Sequence, residues 1–150
     1  MKLILNDYGL RETMPIINKA RNVYRVLTKG IEALEYRQKE LIESYTGWKS
    51  HNNPERMAII DYMKKQIPKI KKDYQTVIDF AKKKASEIES RMKSGKDSDF
   101  DWLKNNLDKI EKEFTQMTSL DRLNYTMEQQ ELLRKMYKLQ QEEDRKKFGN

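Results

Sequence analysis

The chain has 150 residues, of which 37% are hydrophobic and an equal 37% are charged, and this balance excludes a thick globular core. It contains no cysteine, which excludes disulfides, thiolate nucleophiles and sulfur-ligated metals. The formal charge is +7, but acidic residues are interspersed with the basic ones, as is typical of the solvated faces of helices. We therefore expect long, thin helices, each of which buries one narrow apolar stripe.

The N-terminal segment, MKLILNDYGL, holds no long apolar run. We expect neither a cleavable signal nor a membrane span, and we predict a cytoplasmic protein, or one exported without a Sec-type signal. Lys2–Leu5 is expected to form a short extended lead, and Asn6 or Asp7 can cap the helix that follows.

The first helix is predicted at about residues 8–48. Its apolar residues recur in steps of three and four, with gaps near Arg21 and Gln38, which keeps them in one stripe on one side of a helix and implies a partner helix that covers the stripe. The stripe consists of Leu10, Met14, Ile17, Tyr24, Leu27, Ile31, Leu34, Leu41, Tyr45 and Trp48.

Residues 41–56, LIESYTGWKSHNNPER, predict a turn between two helices. Gly47 ends the first helix, because glycine enters the left-handed conformation without steric cost. Asn53 followed by Pro54 is an N-cap with a first-turn proline. His51 lies in this turn without a nearby group of Cys, Asp or Glu, so we interpret it as a loop residue rather than a metal ligand.

The second helix is predicted at 54–93 from a nearly unbroken series in steps of three and four. The series is Met57, Ile60, Met63, Ile67, Ile70, Tyr74, Val77, Ala81, Ala85, Ile88 and Met92. Pro68 lies inside it and removes one backbone hydrogen bond. Because the pattern keeps its register on both sides of Pro68, it favours one bent helix over two separate helices.

The remaining segments predict a linker at 94–99 and further helices at about 99–117 and 119–145, with Ser119 as the cap of the last one. The fold class is therefore all-α: a long antiparallel helical hairpin with one or two further helices, forming an elongated bundle or coiled coil. The predicted domains are a hairpin at 1–93 and, after the linker, a C-terminal extension at 100–150 that packs on the hairpin.

No motif for catalysis or cofactor binding is present in the sequence. It has no Gly-rich phosphate loop, no serine elbow and no Glu-x-x-His motif. Carboxylate pairs such as Glu40 with Glu43 and Asp99 with Asp101 have no nucleophile or base beside them. We predict a protein that is not an enzyme and binds neither a metal nor another cofactor.

The turn is similar to that of the small helical-hairpin proteins of the WXG type, because Tyr45-Thr46-Gly47 stands where they carry Trp-x-Gly. Trp48 is an additional aromatic residue. The order of an apolar lead, a long helix, an aromatic-x-Gly turn and a second long helix also resembles this family over roughly residues 1–93. Family members are substrates or escort partners of type VII secretion in Gram-positive bacteria, and longer relatives accompany LXG-type toxins as helical targeting factors. The resemblance implies that Tyr45 and Gly47 form the turn motif.

Our leading hypothesis is a non-catalytic interaction protein whose hairpin binds another helical protein, such as a secreted toxin or a small helical partner; a homodimer is also open. The residues predicted to contact the partner are Leu27, Ile31, Leu34, Leu41, Ile67, Ile70 and Tyr74.

The alternative hypothesis is a basic helical protein that binds nucleic acid, or a phage-encoded inhibitor or adaptor. Lysine clusters of the second helix fall between its apolar positions, so they lie on its outward faces and are able to follow phosphates. The predicted phosphate contacts are Lys64, Lys65, Lys71, Lys72, Lys82, Lys83 and Lys84.

Overall fold

The computed structural model describes residues 10–46, 53–119, 123 and 125–148, and it confirms the all-α fold class. Four helices lie in these ranges: α1 is Leu10–Thr46, α2 is Pro54–Ser94, α3 is Asp97–Met117 and α4 is Thr126–Phe148. The described ranges contain no strand, and none of their helices combines the length and apolar character that crossing a membrane requires.

The bounds of the first three helices agree with the sequence prediction to about two residues. α4 begins at Thr126, seven residues after the predicted start at 119, and Leu123 before it is also helical. Ser119 therefore does not cap it. Instead, Tyr125 precedes the first turn, and its carbonyl accepts a hydrogen bond from the Gln129 N–H at 2.9 Å. The predicted N-terminal lead, 2–7, lies outside the described residues.

Asn53 caps α2 as predicted. Its side-chain Oδ1 accepts hydrogen bonds from the N–H groups of Glu55 at 2.9 Å and Arg56 at 3.2 Å, and Pro54 is the first helical residue. The helix then continues through Pro68 as a single element. The other residues of the predicted turn, Gly47 to Asn52, lie outside the described residues.

The chain divides into two compact units, and each unit contains segments of both long helices. Unit one comprises Met1–Glu35 with Gln75–Ser119, and therefore holds α3. Unit two comprises Tyr36–Tyr74 with Leu120–Asn150, and therefore holds α4. This division crosses the predicted domain boundaries, since the hairpin helices contribute to both units.

In unit one, α1 and α2 run antiparallel and α3 packs beside them. The Tyr24 hydroxyl donates to Oε2 of Glu89 at 3.3 Å, and Lys19 of α1 pairs with Asp108 of α3 at 2.5 Å. The residues that α3 buries recur in steps of three and four, as an amphipathic helix requires. They are Phe100, Leu103, Leu107, Ile110 and Phe114.

The connection between α2 and α3 is shorter than the predicted linker. Gly95 has a φ of +67°, a left-handed conformation that glycine adopts without steric cost. Arg91 braces this connection, because its guanidinium pairs with Asp99 at 2.8 Å and lies 4.3 Å from the centroid of the Trp102 ring.

Candidate protein-interaction surface of unit two

Unit two is built on an apolar core to which its three helical segments contribute. The buried side chains are Leu41 and Tyr45 of α1, Ile60, Met63, Ile70 and Tyr74 of α2, Leu132 and Met136 of α4, and Leu123 and Tyr125 just before α4. Because each helix buries only one stripe, its other faces are left at the surface.

Two tyrosines anchor the start of α4 to α2. The Tyr74 hydroxyl donates to the carbonyl oxygen of Leu123 at 3.2 Å, and the Tyr125 hydroxyl donates to Oδ2 of Asp73. Burial raises the pKa of Tyr74, and burial together with the Asp73 carboxylate raises the pKa of Tyr125. Both phenols therefore stay protonated at physiological pH and keep donating.

Glu128, in the first turn of α4, joins all three segments of unit two. A hydrogen bond with Glu128 raises the pKa of Tyr62 on α2. Burial, followed by the charge of Glu128, raises the pKa of Tyr45 on α1 to about 12. Tyr45 is fully buried, yet neither its hydroxyl nor Oε1 of Glu128 has a hydrogen-bond partner in the described part of the chain. Two buried oxygens that lack hydrogen-bond partners among the described residues lower the stability of the core.

Arg56 ties the second half of α4 to the start of α2. Its Nη1 donates to Oε1 of Gln140 and lies 3.4 Å from Oε2 of Glu143. The Arg56 side chain is only 12% exposed, so water screens this pair weakly. α4 is therefore anchored along its length, and its outward face has a fixed orientation on unit two.

An open groove of about 350 Å³ lies between α1 and α4. Its lining is of mixed polarity and consists of Arg37, Glu40, Leu41, Ser44 and Gln129. Within the described ranges, no three His, Asp or Glu side chains are grouped in a way that holds a metal ion. The groove offers hydrogen-bond and charged groups to a ligand or a protein segment rather than metal coordination.

Large exposed apolar side chains are concentrated on unit two. Five of the seven found in the described residues belong to it: Tyr36, Tyr62, Met127, Tyr137 and Phe148. Met127 is 70% exposed, Tyr137 68% and Phe148 78%. At 100° per residue, these three lie within an arc of about 80° on α4, opposite the buried Met136. They lie on one side of α4 with the exposed Gln130, Arg134 and Gln141 between them, and we call these three apolar residues the α4 stripe.

The structure places five of the seven predicted partner-contact residues in the interior of the protein. Those buried are Leu27 and Leu34 in unit one and Leu41, Ile70 and Tyr74 in unit two, whereas Ile31 and Ile67 are half-buried. In this conformation the five hold the helices of the chain together, so a partner has no access to them. Of the predicted turn motif, Tyr45 lies in the core, and Gly47 and Trp48 lie outside the described residues.

The seven lysines that were predicted to contact phosphate are divided between the two units. Lys64, Lys65, Lys71 and Lys72 are exposed on α2 in unit two, and Lys82–Lys84 belong to unit one. Lys82 lies 3.7 Å from Glu35 and Lys84 lies 3.4 Å from Glu87.

Sequence reasoning missed the α4 stripe and the contacts of Arg56 and Glu128. Met127, Tyr137 and Phe148 recur at intervals of ten and eleven residues, which the search for steps of three and four does not single out. The polar contacts join residues that are far apart in sequence, and no local pattern identifies such pairs.

The chain matches no family model, no curated protein and no solved structure. A proposal of function therefore has to follow from the surface and the packing of the described residues.

Proposed function

We propose that this protein is a non-catalytic helical interaction factor that binds another helical protein through unit two. The observation that carries the proposal is the concentration of exposed Tyr, Met and Phe side chains on this unit, five of the seven large exposed apolar residues described. Aromatic residues and Met are enriched in the buried centres of protein interfaces, and an exposed cluster of them marks an interaction surface.

The α4 stripe suits a helix as its partner. From Met127 to Phe148 it runs for about 31 Å along the helix axis, which is the length of roughly 21 residues of a second helix. A partner helix with apolar residues in steps of three and four covers such a stripe. Arg37 and Glu40, in the neighbouring groove, add charged groups of both signs that select the register of the partner.

In its narrower form, the proposal is that the partner is a toxin or small helical protein of a type VII secretion system, and that the protein assists its assembly and targeting for export. The support is the order of a long helix, an aromatic-x-Gly segment at Tyr45 and a second long helix, which resembles the WXG type.

The experiment is a co-purification of the tagged protein with the helical proteins encoded beside it, followed by titration calorimetry with the partner retained. In the test variant, Met127, Tyr137 and Phe148 are replaced by serine. We expect binding to weaken by more than about 30-fold, because a hot-spot residue of an interface contributes about 2 kcal/mol or more when truncated.

The matched control replaces Met14 and Val26, the two large exposed apolar residues found in the described part of unit one, by serine, and should bind as the unmodified protein does. Equal binding by the test and control variants would refute the role of the α4 stripe. A stable monomer that retains none of its encoded neighbours would refute the wider proposal.

A further inference from the structure

The outward face of α2 in unit two carries an unusual density of positive charge. Residues 64–72, KKQIPKIKK, contain five lysines and no acidic residue. All five are exposed: Lys64, Lys65, Lys69, Lys71 and Lys72. They cover about 160° of the helix surface and about 12 Å of its axis, on the side away from the buried Met63 and Ile70. We call this set the lysine face.

Some exposed lysines elsewhere in the described residues are paired with acids. Lys19 pairs with Asp108 at 2.5 Å and Lys93 with Glu89 at 2.7 Å. By contrast, Lys64, Lys65, Lys69 and Lys71 have no ion pair in the described ranges.

The lysine face also repels itself. Lys65 and Lys69 are four residues apart, and Lys69 and Lys72 three apart, and like charges at these spacings oppose the helix that carries them. The positive charge of Lys64, Lys65, Lys69 and Lys71, which have no ion pair in the described ranges, is available to an external anion. An extended anion suits it better than a single ion, because the lysines are spread along the helix.

We propose that the lysine face binds the phosphodiester backbone of nucleic acid without reading its bases. Lysine is a point charge that contacts phosphate without a fixed fork geometry, whereas arginine supplies that geometry for bases and carboxylates. No aromatic side chain lies within 64–72 to stack on a base. An acidic protein is a poorer fit, because protein interfaces have an apolar centre and Pro68 is the only exposed apolar residue in this stretch. The proposal does not depend on the helical partner described above.

The experiment measures fluorescence anisotropy of a labelled DNA duplex of about 20 base pairs over a range of salt concentrations. Counterion release predicts that the logarithm of the affinity falls with the logarithm of salt concentration with a slope of about −4 to −5 for five phosphate contacts. The test variant replaces the five lysines of the lysine face by glutamine, which keeps the length and polarity of each side chain.

A control variant replaces five other exposed lysines by glutamine: Lys104, Lys109, Lys112, Lys135 and Lys138. Both variants lose five positive charges from a chain of formal charge +7, so they differ only in where the charge is removed. We expect the test variant to lose at least about 30-fold in affinity at low salt together with nearly all of the slope, and the control variant to lose less than about 3-fold.

Circular dichroism of both variants verifies that they are folded. Three outcomes would overturn the proposal: no duplex binding by the unmodified protein at low salt, equal losses in the two variants, or tighter binding of poly-glutamate than of the duplex. Equal losses in the two variants would mean that the affinity for DNA depends on overall charge alone. Tighter binding of poly-glutamate would mean that the lysine face binds an acidic protein rather than nucleic acid.

Discussion

Gly30, in the middle of α1, lies directly beneath the ring of Phe114 on α3. A Cβ atom on residue 30 would lie 2.5 Å from Cζ of that ring and 2.7 Å from Cε2. Glycine inside a helix is less favourable than alanine by about 1 kcal/mol, so Gly30 is tolerated because it lets the ring approach the backbone of α1. This contact between Gly30 and the ring lies in the core of unit one, where Phe114 is buried.

Replacing Gly30 by alanine should therefore destabilise the protein, by about 1 kcal/mol, although alanine is the better helix former. The added methyl group displaces the buried ring, and overpacking of about 1–3 kcal/mol exceeds the gain in helix propensity. In a Phe114→Leu background, which lacks the two clashing ring atoms, the same substitution should become stabilising. Urea unfolding of the four proteins in this cycle measures both effects.

Ser90→Ala is the control for helix propensity alone, because Ser90 is exposed on α2. It should raise the free energy of unfolding slightly. If Gly30→Ala stabilised the protein whether residue 114 were Phe or Leu, the ring would not be held against α1.

Tyr45→Phe and Tyr125→Phe should change stability in opposite directions, although both remove one buried hydroxyl. The Tyr45 hydroxyl is buried and has no partner among the described residues, so its removal should stabilise the protein by up to about 1 kcal/mol at neutral pH. The Tyr125 hydroxyl donates to Asp73, and its loss should destabilise by about 1–3 kcal/mol, because a charged acceptor is left unpaired.

Urea unfolding at pH 7 compares the two variants directly. Both variants keep the aromatic ring and its packing, so the difference between their free energies of unfolding reports the contribution of the hydroxyl hydrogen bond. A destabilised Tyr45→Phe variant would mean that its hydroxyl has a partner, for which the unsatisfied Oε1 of Glu128 is the candidate.

Asn53→Ala should destabilise α2 by about 1 kcal/mol. Its Oδ1 accepts from two N–H groups, those of Glu55 and Arg56, which α2 itself leaves without acceptors. Asn53→Asp should restore most of the loss, since aspartate caps equally well and its charge suits a helix N-terminus. Thermal unfolding compares the stability of the unmodified protein and the two variants. If Asn53→Asp were no more stable than Asn53→Ala, residue 53 would not stabilise α2 as a cap.

Arg56 and Glu143 should show a coupling energy in a double-mutant cycle. Arg56→Gln alone removes a donor to Gln140 and leaves Glu143 without its cation, and we expect a loss of about 1–3 kcal/mol. With Glu143→Gln already present, the loss should be smaller by about 1 kcal/mol, because no charge remains to be neutralised. The backbone around residue 140 should exchange its amide hydrogens faster in the Arg56→Gln variant. If the stability losses of the two single variants simply added in the double variant, the Arg56–Glu143 pair would contribute nothing to stability.

Apolar spacing was sufficient to predict the fold class and the first three helices. Steps of three and four mark which side of a helix is covered, and a cap such as Asn53 fixes where it begins. Spacing does not reveal what covers the stripe. Leu27 and Ile70 were assigned to an external partner, and in the structure they are buried within the protein. Periodicity has the same form whether the covering helix belongs to the same chain or to another.

The polar features of unit two were beyond prediction for a different reason. Arg56 contacts Gln140 and Glu143 across more than eighty residues of sequence, and only the packing of α4 brings them together. Ser119 was predicted to cap the last helix because serine is a common cap, but α4 starts at Thr126, after Leu123 and Tyr125 have entered the core. Ser119 lies seven residues before that start, so local capping preference alone did not locate it.

The buried phenols should make the protein lose stability in alkali. Burial raises the pKa of Tyr45 from 10.0 to about 12, and it also raises that of Tyr74. Because the unfolded chain releases these protons near pH 10 and the folded chain keeps them, their contribution is complete below pH 10. It is then lost as the pH rises through the pKa that each phenol has in the folded protein, which is about 12 for Tyr45. Between pH 10 and 12, Tyr45 contributes a slope of about 1.4 kcal/mol per pH unit.

Urea unfolding at several pH values between about 8 and 11.5 measures this slope. The difference in unfolding free energy between the unmodified protein and Tyr45→Phe cancels the titration of lysines, which both proteins share. That difference should be constant below pH 10 and should then grow in favour of Tyr45→Phe, because only the unmodified protein must keep a proton on residue 45. A difference that stays constant up to pH 11.5 would show that the Tyr45 phenol titrates in the folded protein as it does in the unfolded chain. Leu132→Met, a core substitution without a titrating group, should show no such trend.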